Sequence, residues 1–276
     1  MGSSALPSED PSVLDSAAVE RVLGQGELDI EGRLVAASNA SFFGHVVLDG
    51  ISLPCIYKPV AGERPLWDFP DGTLAARERA AWLVSEAAGW HLVPPTVLRE
   101  GRFGAGMCQR WIEAADPNAL VDVVAAEAPA PGWLAVLEAE DQAGDPVLLV
   151  HADDPKLRSM AVLDAIINNA DRKGGHLLLE SRGGGLFGCD HGVSFHEEDK
   201  LRTVLWGWAG DPLRDEDRVR LEHLGEGLEA GLGAVLGELL TRAEVSALAR
   251  RVKRLRRADR MPSPGGSWRV IPWPAF

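Results

Sequence analysis

Between residues 28 and 60 the chain switches between apolar and polar positions with a period of two. LDIEGRLVAA, SFFGHVVLDG and ISLPCIYKPV each carry β-branched or aromatic residues on one parity, the pattern of half-buried strands. The Asp49-Gly50 pair between the second and third segments predicts a tight hairpin, because both central residues of that turn need positive φ. A short helix is expected before them at Ala17–Leu23. After the polar loop GERPLWDFPDG the period lengthens to that of a helix over Leu74–Ala88, with Thr73 able to cap its start and Gly89 its end. VPPTVLRE and GMCQRWIE then predict two more strands, closing a small sheet-plus-helix lobe near Glu113.

Residues 114–150 give no clear period. Pieces such as EAPAPG and AEDQAGD read as surface insertions between short helical or extended segments. From Asp154 a cap residue, Pro155 at the first helical position and an inward stripe of Leu157, Met160, Ala161, Asp164 and Ile167 predict a helix that delivers the chain to Asn168. A two-stranded ribbon follows, His176–Glu180 and Leu186–Cys189, joined by Ser-Arg-Gly-Gly-Gly. Residues 199–258 read as mainly helical, with breaks at Gly207–Pro212 and in GEGLEAGLGAVLG. Thr241 and Glu244 are spaced as a capping box ahead of Val245, Leu248, Val252 and Leu255. The tail MPSPGGSWRVIPWPAF is apolar enough to lie across the surface as an extended strap.

Composition changes this picture little. The 276 residues are 46% hydrophobic and 25% charged, the balance of an ordinary globular chain with room for one large domain or two small lobes. No apolar run approaches the roughly 18 residues of a membrane-spanning helix, and the start of the chain lacks the basic, then apolar, order of a secretory signal. Cys55, Cys108 and Cys189 stand singly in apolar segments, as core thiols of a reducing cytoplasm do. The cytoplasm is the expected location. A net charge of −13 argues against nucleic acid and anionic lipid as partners. Residues 242–260 are the basic exception, read either as a solvated helix face or as a docking surface for an acidic partner.

The chemistry concentrates between Asn168 and His196. The ribbon there would hold Asp171 and Asp190 near one spot although nineteen residues separate them. Phosphoryl transfer needs such a pair: one carboxylate to orient an attacking hydroxyl, the other to hold a metal on the phosphates. Asp171 fits the first role, with Arg172 steadying its loop, and Asp190 fits the second, although Asp-His-Gly is also a plain turn. His176 stands where a metal-holding asparagine would be expected. Imidazole is a poor magnesium ligand, so it reads equally as a backbone-bonded strand residue. Asn168 or Asn169 would supply an amide oxygen in its place. Lys58, inside the apolar strand CIYKPV, needs a partner for its ammonium or a route to solvent. Glu78 on the following helix is the preferred partner, ahead of Glu86, which lies near the helix end. In the first hairpin turn, Ser38, Asn39 and Ser41 offer hydroxyls and N–H groups to phosphate oxygens, or form an ordinary polar turn. A zinc hydrolase built on His176, Asp190, His191 and His196 is the outlying alternative.

Taken in order, YKP at Lys58, ARERAAWLVSEAAGWHLVPPT at 76–96, QRWIE at 109–113, NADRKGGH at 169–176 and CDHG at 189–192 resemble the phosphatidylinositol 3-/4-kinase-like branch of the protein-kinase fold. That branch includes HipA-type and type II phosphatidylinositol 4-kinase relatives, and the chain is similar to its actinobacterial members. The resemblance spans about residues 28 to 200. It implies an α+β, two-lobed kinase-like fold: a small antiparallel-sheet N-lobe with one main helix over 28–113, a mostly helical C-lobe over 114–276, and a leader with a short helix over 1–27. It implies ATP with Mg²⁺ or Mn²⁺, Lys58 and Glu78 on the phosphates, a hinge at Gln109–Glu113 with Gln109 and Trp111 against the nucleotide, Asp171 as catalytic aspartate and Asp190 as metal aspartate. The chain departs from the pattern in its SNAS turn, in Asp-Arg-Lys for Asp-Arg-His, and at His176, departures that bear on metal choice and turnover. The expected activity is transfer of phosphate to a hydroxyl of a protein or small molecule. AMP transfer on the same fold and a non-catalytic nucleotide-binding scaffold are the alternatives.

Overall fold

The computed structural model describes residues 14–34, 39–70, 72–116, 118–126, 129–265 and 269–276. The chain divides into two units, Met1–Arg79 with Pro94–Ile112, and Ala80–Val93 with Glu113–Phe276.

The first unit is built on one antiparallel sheet, in the order β1 (Glu27–Arg33), β2 (Phe42–Leu48), β3 (Ile51–Pro59), β5 (Gly104–Arg110) and β4 (Thr96–Gly101). Asp49 and Gly50 take φ of 51° and 82°, the left-handed pair the hairpin signal required. Helix α1 (Ser16–Gln25) is capped by Asp15, whose carboxylate accepts from the N–H of Ala18. It lays Val19, Val22 and Leu23 on Val46, Leu53, Cys55, Val97 and Cys108. Arg99 closes its other end, donating to the carbonyls of Leu23 and Gly26 at 2.6 and 2.8 Å. The start of α2 (Leu74–Ala87) belongs to this unit as well. Its first N–H groups are satisfied by a residue outside the helix: the Glu63 carboxylate accepts from Leu74 at 3.1 Å and Ala75 at 2.8 Å. Thr73, the expected cap, instead donates its hydroxyl to the carbonyl of Pro70.

The second unit holds the chief core. Residues 114–150, expected to be irregular, contain a three-stranded antiparallel sheet in the order β6 (Val121–Ala125), β8 (Pro146–Ala152), β7 (Trp133–Glu140). The middle strand buries Leu148, Leu149 and Val150, whereas β7 is mostly exposed, so the alternation that would announce a strand is missing there. Helix α3 (Pro155–Ile167) starts on Asp154, whose carboxylate accepts from the N–H groups of Lys156 and Leu157. It ends on Asn168 in the left-handed region at φ 58°. The ribbon is β9 (Leu177–Leu179) paired with β10 (Leu186–Gly188).

Helix α4 (Asp215–Gly227) begins later than expected, because residues 199–214 spend their backbone groups on other segments: Arg202 N–H on Asn169, Thr203 N–H on Val270, Leu213 N–H on Asp259. The glycine-dotted break holds a wide turn at Leu228–Leu232, with Gly231 at φ 141°, before the short α5 (Gly233–Gly237). Helix α6 (Arg242–Ala258) carries the expected Thr241–Glu244 capping box and buries Leu248, Val252 and Leu255. The tail is a strap: Val270 accepts from Thr203 and from the Trp206 indole, and Ala275 from Gly174.

Candidate active site

Lys58 lies on β3, the central strand of the first sheet. Its neighbours at 53, 55 and 57 are fully buried, so Lys58 belongs to the opposite face. There its Nζ meets Glu78 Oε1 at 3.0 Å, with side-chain exposures of 16% and 4%. Glu86 is committed elsewhere, to the ring of His91 at 2.9 Å. A lysine on a central strand thus keeps its charge because a buried carboxylate on α2 meets it.

The other expected nucleotide contacts of this unit need correction. Gln109 is 3% exposed and its amide donates to the Thr96 hydroxyl at 2.7 Å, so the side chain is buried and packs within the sheet. Ser41 is buried with its hydroxyl on the carbonyl of Asn39, and the Asn39 side-chain oxygen accepts from the N–H of Arg64. These bonds shape the turn; Ser38 lies outside the described residues. Trp111 sits half-buried, edge-on to Phe43 with centroids 5.2 Å apart.

In the second unit, Arg172 organises the loop. Its guanidinium is fully buried and grips Asp164 on α3 with two bonds of 2.9 Å, Nε to Oδ2 and Nη2 to Oδ1. Nη1 donates to the carbonyls of His176 at 3.1 Å and Cys189 at 3.0 Å, the residues that enter and leave the ribbon. Nη2 also reaches the Nε2 of His191; since arginine has no acceptor, that nitrogen accepts. Arg172 is thus engaged within the loop, in the steadying role expected of it. It fixes the base of the ribbon on which Asp171 and Asp190 stand. Asn169 completes the support, donating to Asp164 and accepting from the N–H of Asp171 at 3.0 Å. Asn168 binds the carbonyls of His196 and Glu198 and the N–H of Lys200. Both asparagine side chains are thus bound into the loop, each amide oxygen accepting one backbone N–H.

Asp171 is 35% exposed in its side chain and lies 3.5 Å from the ammonium of Lys173. Asp190, in left-handed backbone at φ 57°, is 46% exposed and 3.5 Å from Nε2 of His176. Burial pushes the His176 imidazole below its usual pKa, while both Asp190 and Asp171 pull the other way, so the two carboxylates bear on one ring. Among the described residues no partner approaches the buried Nδ1 of His176.

Among the described residues no three His, Cys, Asp or Glu side chains converge as a metal cage, so the zinc-hydrolase arrangement is not assembled. Asp190 and His176 fit a divalent ion only if further ligands come from a bound phosphate or water.

Asp164, Lys173 and Glu63 were not singled out from the sequence. An acid within an apolar helical stripe was the available signal for Asp164, because a carboxylate in that position must find a buried cation.

The fold resembles that of a solved structure of hydra Fam20 with sugar, with a TM-score of 0.50 and 13% identity, covering 88% of this chain and 87% of that one. The likeness is one of fold: the chain has an α+β, protein-kinase-like fold. A Golgi casein kinase structure aligns at TM-score 0.46 and 12% identity, over 91% and 75% of the two chains. The Helicobacter pylori proinflammatory kinase CtkA aligns at TM-score 0.46 and 10% identity, over 87% and 94%. The chain matches no protein-family model. Protein Rv2133c of Mycobacterium tuberculosis is 51% identical over 264 residues, 92% of this chain and 94% of that one, and the chain belongs to its family.

Proposed function

We propose that this chain is an ATP- and divalent-metal-dependent phosphotransferase acting on a hydroxyl acceptor. The observation that carries the reading is the half-buried Lys58–Glu78 pair on the central strand of the first unit. A cation held out on a rigid strand by a buried carboxylate is a device for phosphate oxygens, and a merely structural lysine would have gone to solvent at lower cost. In the motif order of its loops the reading follows the phosphatidylinositol 3-/4-kinase-like branch, with the nucleotide-binding lobe assigned to 28–113 and the catalytic and metal loops to 114–276.

In this reading Lys58 donates to phosphate oxygens, and Glu78, 3.0 Å from its ammonium, holds it in place. Asp171 accepts the proton of the attacking hydroxyl through its exposed carboxylate. Lys173, 3.5 Å away, offsets charge at that position. Arg172 holds the loop to Asp164, so Asp171 reaches the acceptor without rearrangement. Asp190 and His176 would hold Mg²⁺ or Mn²⁺, which when bound neutralises charge on the phosphates being transferred. Trp111 is the nucleotide-facing residue near Gln109, whose own side chain is buried on Thr96. With a net charge of −13, a protein hydroxyl or soluble alcohol suits the chain better as acceptor than an anionic lipid. The outward cations of α6, Arg250, Lys253 and Arg257, would dock an acidic partner.

The test is transfer of label from ATP with Mg²⁺ or Mn²⁺, comparing wild type with Asp171→Asn. Metal-dependent γ-label transfer that Asp171→Asn abolishes supports the reading. Label arriving only from the α-phosphate assigns AMP transfer instead. Nucleotide binding with no transfer under either metal assigns a scaffold.

A further inference from the structure

A cavity of about 520 Å³ opens in the second unit, beside the C-terminal end of α3, one side of α6 and the chain around Lys200 and Met261. Its polar wall is one-sided: Lys200, Arg251, Arg254 and Arg260 line it, and Asp199 is the carboxylate among them. The chain as a whole is strongly acidic; Arg251, Arg254 and Arg260 come from its one basic run, 242–260, and Lys200 joins them from another segment.

Arg251 is the telling member. Its side chain is 4% exposed, with Nε 3.4 Å from Asp199 Oδ1, Nη1 3.3 Å from the carbonyl of Ile166, and Nη2 on the carbonyl of His196. Asp199 is shared, its other oxygen lying 2.7 Å from Arg254 Nη1. One half-exposed carboxylate therefore serves two guanidinium groups, and a buried positive charge is left incompletely neutralised. Burial pushes the Arg251 guanidinium down to about 10, against the opposing pull of Asp199. The remaining walls are of another kind: Leu255, Met261 and a flank of the Trp206 ring. Arg260 donates one N–H to the carbonyl of Gly210 at 2.9 Å. A cavity of this size with an apolar body and three guanidinium groups in its wall suits a small organic anion.

We propose that this cavity binds an amphipathic small molecule whose phosphate or carboxylate head lies between Arg251, Arg254 and Arg260 and whose apolar body lies on Trp206 and Leu255. The site is separate in its residues from Lys58, Asp171 and Asp190 and does not depend on the phosphotransferase reading.

Calorimetric titration of the full chain with phenyl phosphate, benzoate and inorganic phosphate tests it. Saturable binding of phenyl phosphate or benzoate, about tenfold or more tighter than inorganic phosphate, is expected from burial of the ring; which of the two binds identifies the head group. Arg254 and Arg260 are exposed enough to be replaced without unfolding the chain. The double variant Arg254→Ala, Arg260→Ala should lose about tenfold or more in affinity through its missing charge-assisted bonds, whereas Lys58→Met should bind as wild type does. Unchanged affinity in the double variant would overturn the site, as would absence of saturable binding by all three probes or equal affinity for phenyl phosphate and inorganic phosphate. Loss of binding in Lys58→Met would overturn it too, by assigning the probe to the other unit.

Discussion

Arg172 and Asp164, eight residues apart, meet in a doubly hydrogen-bonded ion pair with no solvent exposure on either side chain. The same guanidinium holds the carbonyls of His176 and Cys189, so one buried charge joins α3, the loop carrying Asp171 and both ends of the ribbon carrying Asp190. Leaving either partner alone would strand a charge away from water, which is why the pair works as a fixed joint.

Replacing Arg172 with Ala should accordingly destabilise the chain by about 3–5 kcal/mol, read from the urea unfolding midpoint. Asp164→Leu combined with Arg172→Met should recover much of that stability, since apolar replacements of similar volume remove both buried charges. It should not recover catalytic activity, because the clamp on the ribbon is gone. A double variant with wild-type activity would show that Arg172 has no positioning role.

Lys58→Met leaves the buried Glu78 carboxylate without this ammonium, so it should lower the melting temperature of the free chain and also abolish the further rise that ATP gives. Phosphate transfer should fall by on the order of 100-fold, the typical loss when one preorganised donor to a reacting group is removed. Glu78→Gln should act in the same direction and more weakly when combined with Lys58→Met, because the two residues share one interaction. Equal thermal shifts with ATP in wild type and Lys58→Met would remove Lys58 from the site.

Glu63→Ala should cost about 1 kcal/mol, the usual worth of a helix cap, measurable as a lowered unfolding midpoint. Its carboxylate satisfies the N–H groups of Leu74 and Ala75. Thr73→Ala should cost less, since that hydroxyl donates to Pro70 and accepts from the Arg77 side chain at 3.3 Å, whereas Glu63 accepts from the first N–H groups of the helix. The opposite order would restore Thr73 as the cap.

Stability should fall on mild acidification. His151 is fully buried, with Nδ1 on the carbonyl of Ala152 and Nε2 accepting from the N–H of Gly207, and burial lowers its pKa from 6.5. The unfolded chain binds the proton more readily, so this contribution is whole above pH 6.5 and is lost as pH drops through the folded pKa. His176 shifts in the same direction. Unfolding midpoints measured from pH 7.5 down to 5.5 should decline, and His151→Gln should flatten the decline. A midpoint that rises over that range would reverse the assignment.

Several features were legible without coordinates because their causes lie within a few residues of one another. Asp154 with Pro155, the Thr241–Glu244 box and the Asp49-Gly50 hairpin are local arrangements of donors, acceptors and permitted φ. The strands from 27 to 59 announced themselves by alternation because β2 and β3 bury residues on one face, and β1 alternates between partly covered and exposed positions. The sheet formed by β6, β8 and β7 did not, since β7 is exposed along most of its length and takes its hydrogen bonds from β8. The sequence by itself determined which residue types were available for phosphate chemistry, and in what order. Tertiary structure decided what each of them meets: Gln109 bonds Thr96, Ser41 bonds Asn39, Arg172 is buried on Asp164, and Lys58 pairs with Glu78. The physical reason is that a buried polar group must be satisfied, and the partner that satisfies it can come from any distance along the chain.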